Sequence, residues 1–195
     1  MDRIPEIALD WHRAGKGAAL CTVVQTWGSA PRRVGSQLVV SGLGEIQGSV
    51  SGGCVEGAVI VEALEALDDG KHRLLEFGVS DDDAFAVGLA CGGTIRVLVE
   101  PVGSVLPEDV LAELVEARAN RQAVAVEADL EEGARRIVHD GYAEIVKKHY
   151  PDTAPIDQVD KYDFYDRTRK AFAVVMTGDV RIYANLILAK GVTTW

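Results

Sequence analysis

The chain has 195 residues, 48% hydrophobic and 26% charged, with 20 glycines and 6 prolines, which suits one soluble globular domain or two small ones and excludes a disordered or collagen-like chain. A net charge of −10 with no concentrated basic patch argues against nucleic acid as a partner. No apolar run is long enough to cross a bilayer, and Met1-Asp2-Arg3-Ile4-Pro5 lacks the basic-then-apolar order of a signal peptide, so no membrane partner and a cytoplasmic location are expected.

In chain order, Pro5 and Gly15 frame a short helix through Trp11. Ala19–Gln25 is rich in β-formers, and Gln37–Ser41 with Glu45–Val50 about Gly42-Leu43-Gly44 reads as a hairpin. The clearest helix runs from Val55 to Leu67: Val55, Val59, Ile60, Ala63, Leu64 and Leu67 fall on one stripe, Glu62, Glu65 and Asp69 on another, and Gly70 stops it. Thr94–Pro101 alternates, with Ile95, Val97 and Val99 facing one way as in a half-buried strand. Pro107-Glu108-Asp109 opens a second amphipathic helix bearing Val110, Leu111, Leu114 and Val115, with Arg118 and Arg121 near its negative end. Ala123–Glu127 and Ala134–Val138, around an acidic turn ending in Gly133, suggest a further hairpin. Ala143–Tyr150 then reads as helix, Ile156–Tyr162 as extended chain and Asp163–Lys170 as a short helix. Ala171–Met176 and Asn185–Ala189 are apolar runs that read as two buried strands. Two strands alone cannot bury both their faces, so they need cover from residues 1–138 or, where that is incomplete, from another copy in a homo-oligomer.

Composition changes near residues 136–142. Residues 1–138 carry the whole net charge of −10, 17 of the 20 glycines and all three cysteines, whereas 139–195 are neutral and hold eight of the twelve aromatics. A change of that size predicts two domains, 1–138 and 139–195, with an abrupt join.

Several residues could carry chemistry. Gly48-Ser49-Val50-Ser51-Gly52-Gly53-Cys54-Val55-Glu56-Gly57 ends a strand and starts the best helix, which puts Cys54 beside a helix N-terminus, where unpaired N–H groups favour an anion. Gly52 and Gly53 allow close backbone approach to a bound phosphate, and Ser49 and Ser51 add hydroxyl donors; the plain alternative is a tight turn around a buried cysteine. Cys91-Gly92-Gly93-Thr94 offers a second thiol on a flexible turn, or a packing residue, and facing Cys54 it would complete a pair of soft ligands. Cys21 lies within an apolar strand and reads as core, and no cysteine or histidine spacing forms a structural zinc site. Arg32 and Arg33, in a strand-end loop, suit phosphate or carboxylate, or else pair with the surplus acids. Asp81-Asp82-Asp83 reads as a solvated acidic run, and the four histidines as surface residues.

Two resemblances follow from these residues. Thr26-Trp27-Gly28-Ser29-Ala30-Pro31-Arg32, Gly48 through Glu56, Phe77-Gly78-Val79-Ser80-Asp81-Asp82 and Gly88-Leu89-Ala90-Cys91-Gly92-Gly93 closely resemble the N-terminal domain of the xanthine dehydrogenase accessory (XdhC/CoxI) family, over about residues 15–138. The resemblance implies a cytoplasmic chaperone that binds molybdenum cofactor as cargo and assists maturation of a molybdenum hydroxylase client such as xanthine dehydrogenase. It implies Cys54 and Cys91 as thiol contacts, Arg32 as an anion contact, and Gly52, Gly53, Ser51, Gly92 and Gly93 around them. Two-domain members add a Rossmann domain; here Gly15-Lys16-Gly17 is followed by Leu20 where its fingerprint needs a glycine, and none is expected.

Residues 141–195 are similar to the C-terminal third of the L-fucose mutarotase and ribose pyranase (FucU/RbsD) family, through Asp163-Phe164-Tyr165-Asp166-Arg167, Lys170 to Val175, Thr177-Gly178-Asp179 and Tyr183 to Val192. That resemblance implies ring-shaped oligomers that interconvert sugar anomers, with Tyr183 and Asn185 at sugar-contacting positions; the family's N-terminal His and Asp find no counterpart. A natural fusion, a recombined gene or an artificial chimera would each join the two. The fold expected is α+β, a mixed sheet with flanking helices followed by a partial α/β mutarotase-like segment. The function expected is that of a molybdenum-cofactor chaperone rather than an enzyme, with a sugar mutarotase crippled by the absent half, or a non-catalytic oligomerisation protein, as alternatives.

Overall fold

The computed structural model describes residues 3–27, 30, 32–78, 93–120, 124–129, 134–139, 172–177 and 182–187. Helix α1 (Ile4–Arg13) carries Pro5 in its first turn, where the missing N–H is no loss, with Glu6 near its start and Arg13 at its end, charges that suit the helix dipole. Strands β1 (Ala19–Trp27), β2 (Gln37–Val40) and β3 (Ile46–Gly48) follow. Helix α2 (Glu56–Asp69) comes next and ends at Gly70, whose φ of 70° is the left-handed cap that glycine adopts without strain. Strands β4 (Arg73–Phe77) and β5 (Thr94–Pro101), helix α3 (Glu108–Ala119), and strands β6 (Val124–Asp129), β7 (Arg135–His139), β8 (Phe172–Thr177) and β9 (Ile182–Ile187) complete the described elements.

The strands form two antiparallel sheets, ordered β3-β2-β1-β5-β4 and β7-β6-β8-β9. The class is α+β, as expected, and the strands and helices expected over the described residues recur within a few residues of their bounds. Strand β4 was missed: it is short and includes Arg73 and Glu76 among only partly buried residues, so it offers no apolar alternation to read. The helices expected over 143–150 and 163–170 and the extended stretch 156–162 lie outside the described residues.

Period-two alternation in β1 assigns its residues to opposite faces of the first sheet. Ala19, Cys21 and Val23, with Leu38, Val40, Ile95, Val97 and Val99, pack beneath Val55 and α2's Val59, Ala63 and Ala66. Leu20 and Val39 on the opposite face join Ile4, Ala8 and Leu9 of α1, Leu111, Leu114 and Ala117 of α3, and Val124 and Val126 of β6. Val24 and Leu98 meet Ala128 of β6 in a third cluster, so the second sheet helps to cover the face that α2 leaves open.

Strand β8 pairs with β6 along Val124↔Thr177 to Asp129↔Phe172, and β9 pairs with β8. The second sheet therefore takes strands from both sides of the compositional switch, and the two C-terminal strands find their neighbour within the same chain.

A buried ion pair also bridges the sheets. Arg135 of β7 donates through Nε to Glu100 Oε1 of β5 at 2.5 Å, with side chains 1% and 9% exposed. Burial pushes the Glu100 carboxyl up, and the adjoining guanidinium opposes that. Arg118 donates to Glu6 at 2.8 Å and so ties α3 to α1, a more specific role than the dipole contact expected of it. His12 and His72, expected at the surface, are partly buried, and His12 stands 3.5 Å from Glu108.

Candidate functional site

The register of the first sheet gathers the expected site loops at one end. Trp27 pairs with Thr94, Phe77 with Ile95 and Leu38 with Gly48, so β1, β3 and β4 finish where β2 and β5 begin. The connection holding Arg32, the turn holding Ser51, Gly52, Gly53 and Cys54, and Gly93 ahead of β5 all lie at that end.

Cys54 is exposed and lies two residues before the first residue of α2. Gly52 and Gly53 have φ of 77° and 112°, values that favour glycine, and nothing lies within 4 Å of where a Cβ would stand on either. The backbone beside Cys54 therefore borders open space. Arg32 and Arg33 are exposed in their loop, and Gly93 is buried. Cys91 and Gly92, like Asp81-Asp82-Asp83, lie outside the described residues. Cys21 is buried, as expected of a core residue, and burial raises its thiol pKa far above the usual range. Among the described residues no group of three or more His, Cys, Asp or Glu could hold a metal ion.

The interior of the turn differs from the expectation that its donors await an incoming anion. They converge on Glu56, at the first position of α2. Glu56 Oε1 accepts from Ser49 Oγ at 2.7 Å, from the Val50 N–H at 3.2 Å and from the Ser51 N–H at 2.9 Å. Its Oε2 accepts from the Gly53 N–H at 2.8 Å and from the Ser51 hydroxyl. Ser49 Oγ accepts from the Gly52 N–H, and the buried Ser51 Oγ from the Val55 N–H, each at 2.9 Å. Partial burial works against ionisation of Glu56, but the bonds from Ser51 and Ser49 outweigh it and bring its pKa down to about 2. The carboxylate thus fills the amide cradle itself. A glutamate one residue after the predicted helix start, behind Ser-x-Ser-Gly-Gly, was the available signal, and sequence reasoning gave it no role.

Fold and site together define a two-sheet α+β protein with a glycine-rich, cysteine-bearing turn at one sheet end. The chain belongs to the RbsD / FucU transport protein family, which matches residues 93–193, and ahead of that stretch residues 11–78 match the XdhC and CoxI family. One relative is the molybdenum cofactor insertion chaperone PaoD of Escherichia coli, 39% identical over 104 residues, which are 53% of this chain and 32% of PaoD. Human fucose mutarotase is 37% identical over 103 residues, 53% of this chain and 64% of the mutarotase. The chain thus spans about a third of the first relative's length and less than two thirds of the second's. The fold is similar to that of a xanthine dehydrogenase from Bacillus halodurans, with a TM-score of 0.57 and 18% identity over 98% of this chain and 47% of that one. The likeness to the mutarotase family starts at residue 93, well before the C-terminal third that the motifs suggested.

Proposed function

We propose that the first part of the chain, residues 1–138, is a molybdenum-cofactor-binding accessory domain that assists the maturation of a molybdenum hydroxylase client such as xanthine dehydrogenase, with 139–195 as a partial mutarotase-like segment fused to it. The observation that carries this reading is the exposed Cys54 beside two glycines with open space around them, at the sheet end shared with the Arg32 loop. The cargo combines a soft metal–sulfur centre with a phosphate. Cys54 and Cys91 would meet the soft centre as thiolates, Arg32 would pair with the phosphate, and Gly52, Gly53, Gly92 and Gly93 would let backbone approach closely, with Ser51 shaping the turn from behind. Similarity to a cofactor insertion chaperone supports the same reading.

Thiol titration with and without molybdenum cofactor tests it. Cofactor should protect Cys54 and Cys91 from alkylation, and Cys54→Ser should weaken binding. Equal, cofactor-independent reactivity together with unchanged binding by Cys54→Ser would overturn it.

The match to the mutarotase family favours a second reading, in which Tyr183 and Asn185, two residues apart in β9, contact a sugar. The family's N-terminal His and Asp find no counterpart in the sequence motifs that carry the resemblance, so we confine this reading to sugar binding.

A further inference from the structure

We propose that Glu56 is a positioning residue of the cofactor site, its carboxylate holding the turn 49–53 closed so that Cys54 is presented at a fixed place beside Gly52 and Gly53. The inference rests on the chaperone reading and assigns to Glu56 a role in it that contact with cargo does not require.

The two carboxylate oxygens divide the work. Oε1 takes the Ser49 hydroxyl and the Val50 and Ser51 N–H groups, which fixes the chain as it leaves β3. Oε2 takes the Ser51 hydroxyl and the N–H of Gly53, the residue that precedes Cys54. The second oxygen therefore controls the peptide next to the thiol. Gly53, at φ 112°, has no side chain to restrict it, and among its described hydrogen bonds the one that reaches Glu56 restrains its N–H. Without that bond Gly53 would be free to sample many backbone states, and the thiol that follows it would spread over many positions. A negative charge at the first helical position is also favoured by the dipole of α2, so the anchor is held at both of its ends.

The chemistry of the amide variant sharpens the claim. In Glu56→Gln the carbonyl oxygen can keep the three Oε1 bonds, but the amide nitrogen then faces the Gly53 N–H, donor against donor. E56Q should release Gly53 and Cys54 while leaving Ser49 to Ser51 held. Glu56→Ala should release the whole turn.

The test compares wild type, E56Q and E56A in the full chain by amide hydrogen exchange and by molybdenum cofactor binding. Expected in E56Q are exchange at Gly53 and Cys54 at least tenfold faster with residues 59–66 unchanged, and cofactor affinity at least tenfold weaker. A general loss of structure would speed exchange at 59–66 as well, so weaker binding with that helix segment unchanged separates positioning of the turn from a merely structural role. Should E56Q fold poorly, Ser49→Ala, which removes one donor to Glu56 and the acceptor for the Gly52 N–H, should reproduce the faster exchange at 52–54. Unchanged exchange at Gly53 in E56Q, or unchanged cofactor affinity despite faster exchange, would overturn the proposal. Failure of the wild type itself to bind cofactor would instead overturn the chaperone reading, while the exchange comparison would still decide what Glu56 holds.

Discussion

The two faces of the first sheet are built differently. Beneath α2 the contact is wholly apolar, with Ala19, Cys21, Val23, Leu38, Val40, Ile95, Val97 and Val99 against valines and alanines. The opposite face buries Thr22, Gln37 and Glu100 among its apolar residues, and the last of these is met by Arg135 from the second sheet. Gln37 Nε2 donates to Thr22 Oγ1 at 3.1 Å, so that pair is also satisfied internally. An apolar face tolerates any apolar partner of suitable shape, whereas a buried polar pair demands one register. The α2 face thus supplies firmness under the site turn, and the other face specifies which strands dock upon it.

The largest effect should come from separating the second sheet's strands from their partners. Strand β8 pairs with β6 on one side and β9 on the other, so residues 139–195 expressed alone lose the β6 edge altogether. Two strands in isolation are at best marginally stable. The fragment should give a poorly dispersed amide spectrum; a sharp, well-dispersed spectrum from a monomer would show that it folds unaided and that the polar face is not its template.

Next comes the buried ion pair. Arg135→Met leaves Glu100 buried without its partner, and breaking such a pair typically costs about 3–5 kcal/mol. Adding Glu100→Leu should recover much of that loss, because two apolar residues of similar volume remove both desolvation costs. Urea unfolding of the single and double variants checks both statements. An Arg135→Met protein as stable as wild type would show that the second sheet docks by apolar contact alone.

A smaller effect belongs to the α2 side, where Glu56 titrates. Its pKa in the folded chain, about 2, lies below that of an unfolded glutamate, so its contribution is fully present above about pH 4.5 and is lost as pH falls toward 2. For a partly exposed carboxylate the size is about 1–2 kcal/mol once solvent screening is allowed for. Unfolding free energies measured between pH 5 and 2.5 should fall less steeply for Glu56→Gln than for wild type; parallel slopes would remove Glu56 as the source.

These comparisons also separate what a sequence discloses from what it hides. Local patterns were legible: the stripe on α2, the alternation in β5, the β2–β3 and β6–β7 hairpins and both C-terminal strands are periodic runs bounded by glycine, proline or acidic turns. Cys21 as core and Cys54 beside the helix start were likewise readable from their neighbours. Long-range pairings were not, since nothing local to Glu100 or Arg135 announces a partner 35 residues away. The Glu56 cradle was hidden for another reason. Its residues sit within one short motif, but the same serines and glycines serve an external anion and an internal carboxylate equally well, and only geometry distinguishes them.

The smallest expected effect is on sugar chemistry, where no exchange above the buffer rate is expected. Anomer exchange needs one group to take the proton of the anomeric hydroxyl and another to protonate the ring oxygen, both within hydrogen-bond reach of the sugar. Contacts that hold substrate and transition state alike lower neither barrier, so a Tyr183–Asn185 pair that only binds sugar would leave the exchange rate where water sets it. The polar face of the first sheet does not supply the missing groups: Glu100 is engaged by Arg135, and Thr22 and Gln37 bond each other in the interior. Saturation-transfer NMR on L-fucose and D-ribose should therefore show exchange at the buffer rate with the full chain present. Exchange above that rate, abolished by Asn185→Ala, would mean that the second sheet carries a working acid/base pair and that the mutarotase-like part, rather than the α2 turn, is the catalytic part of the molecule.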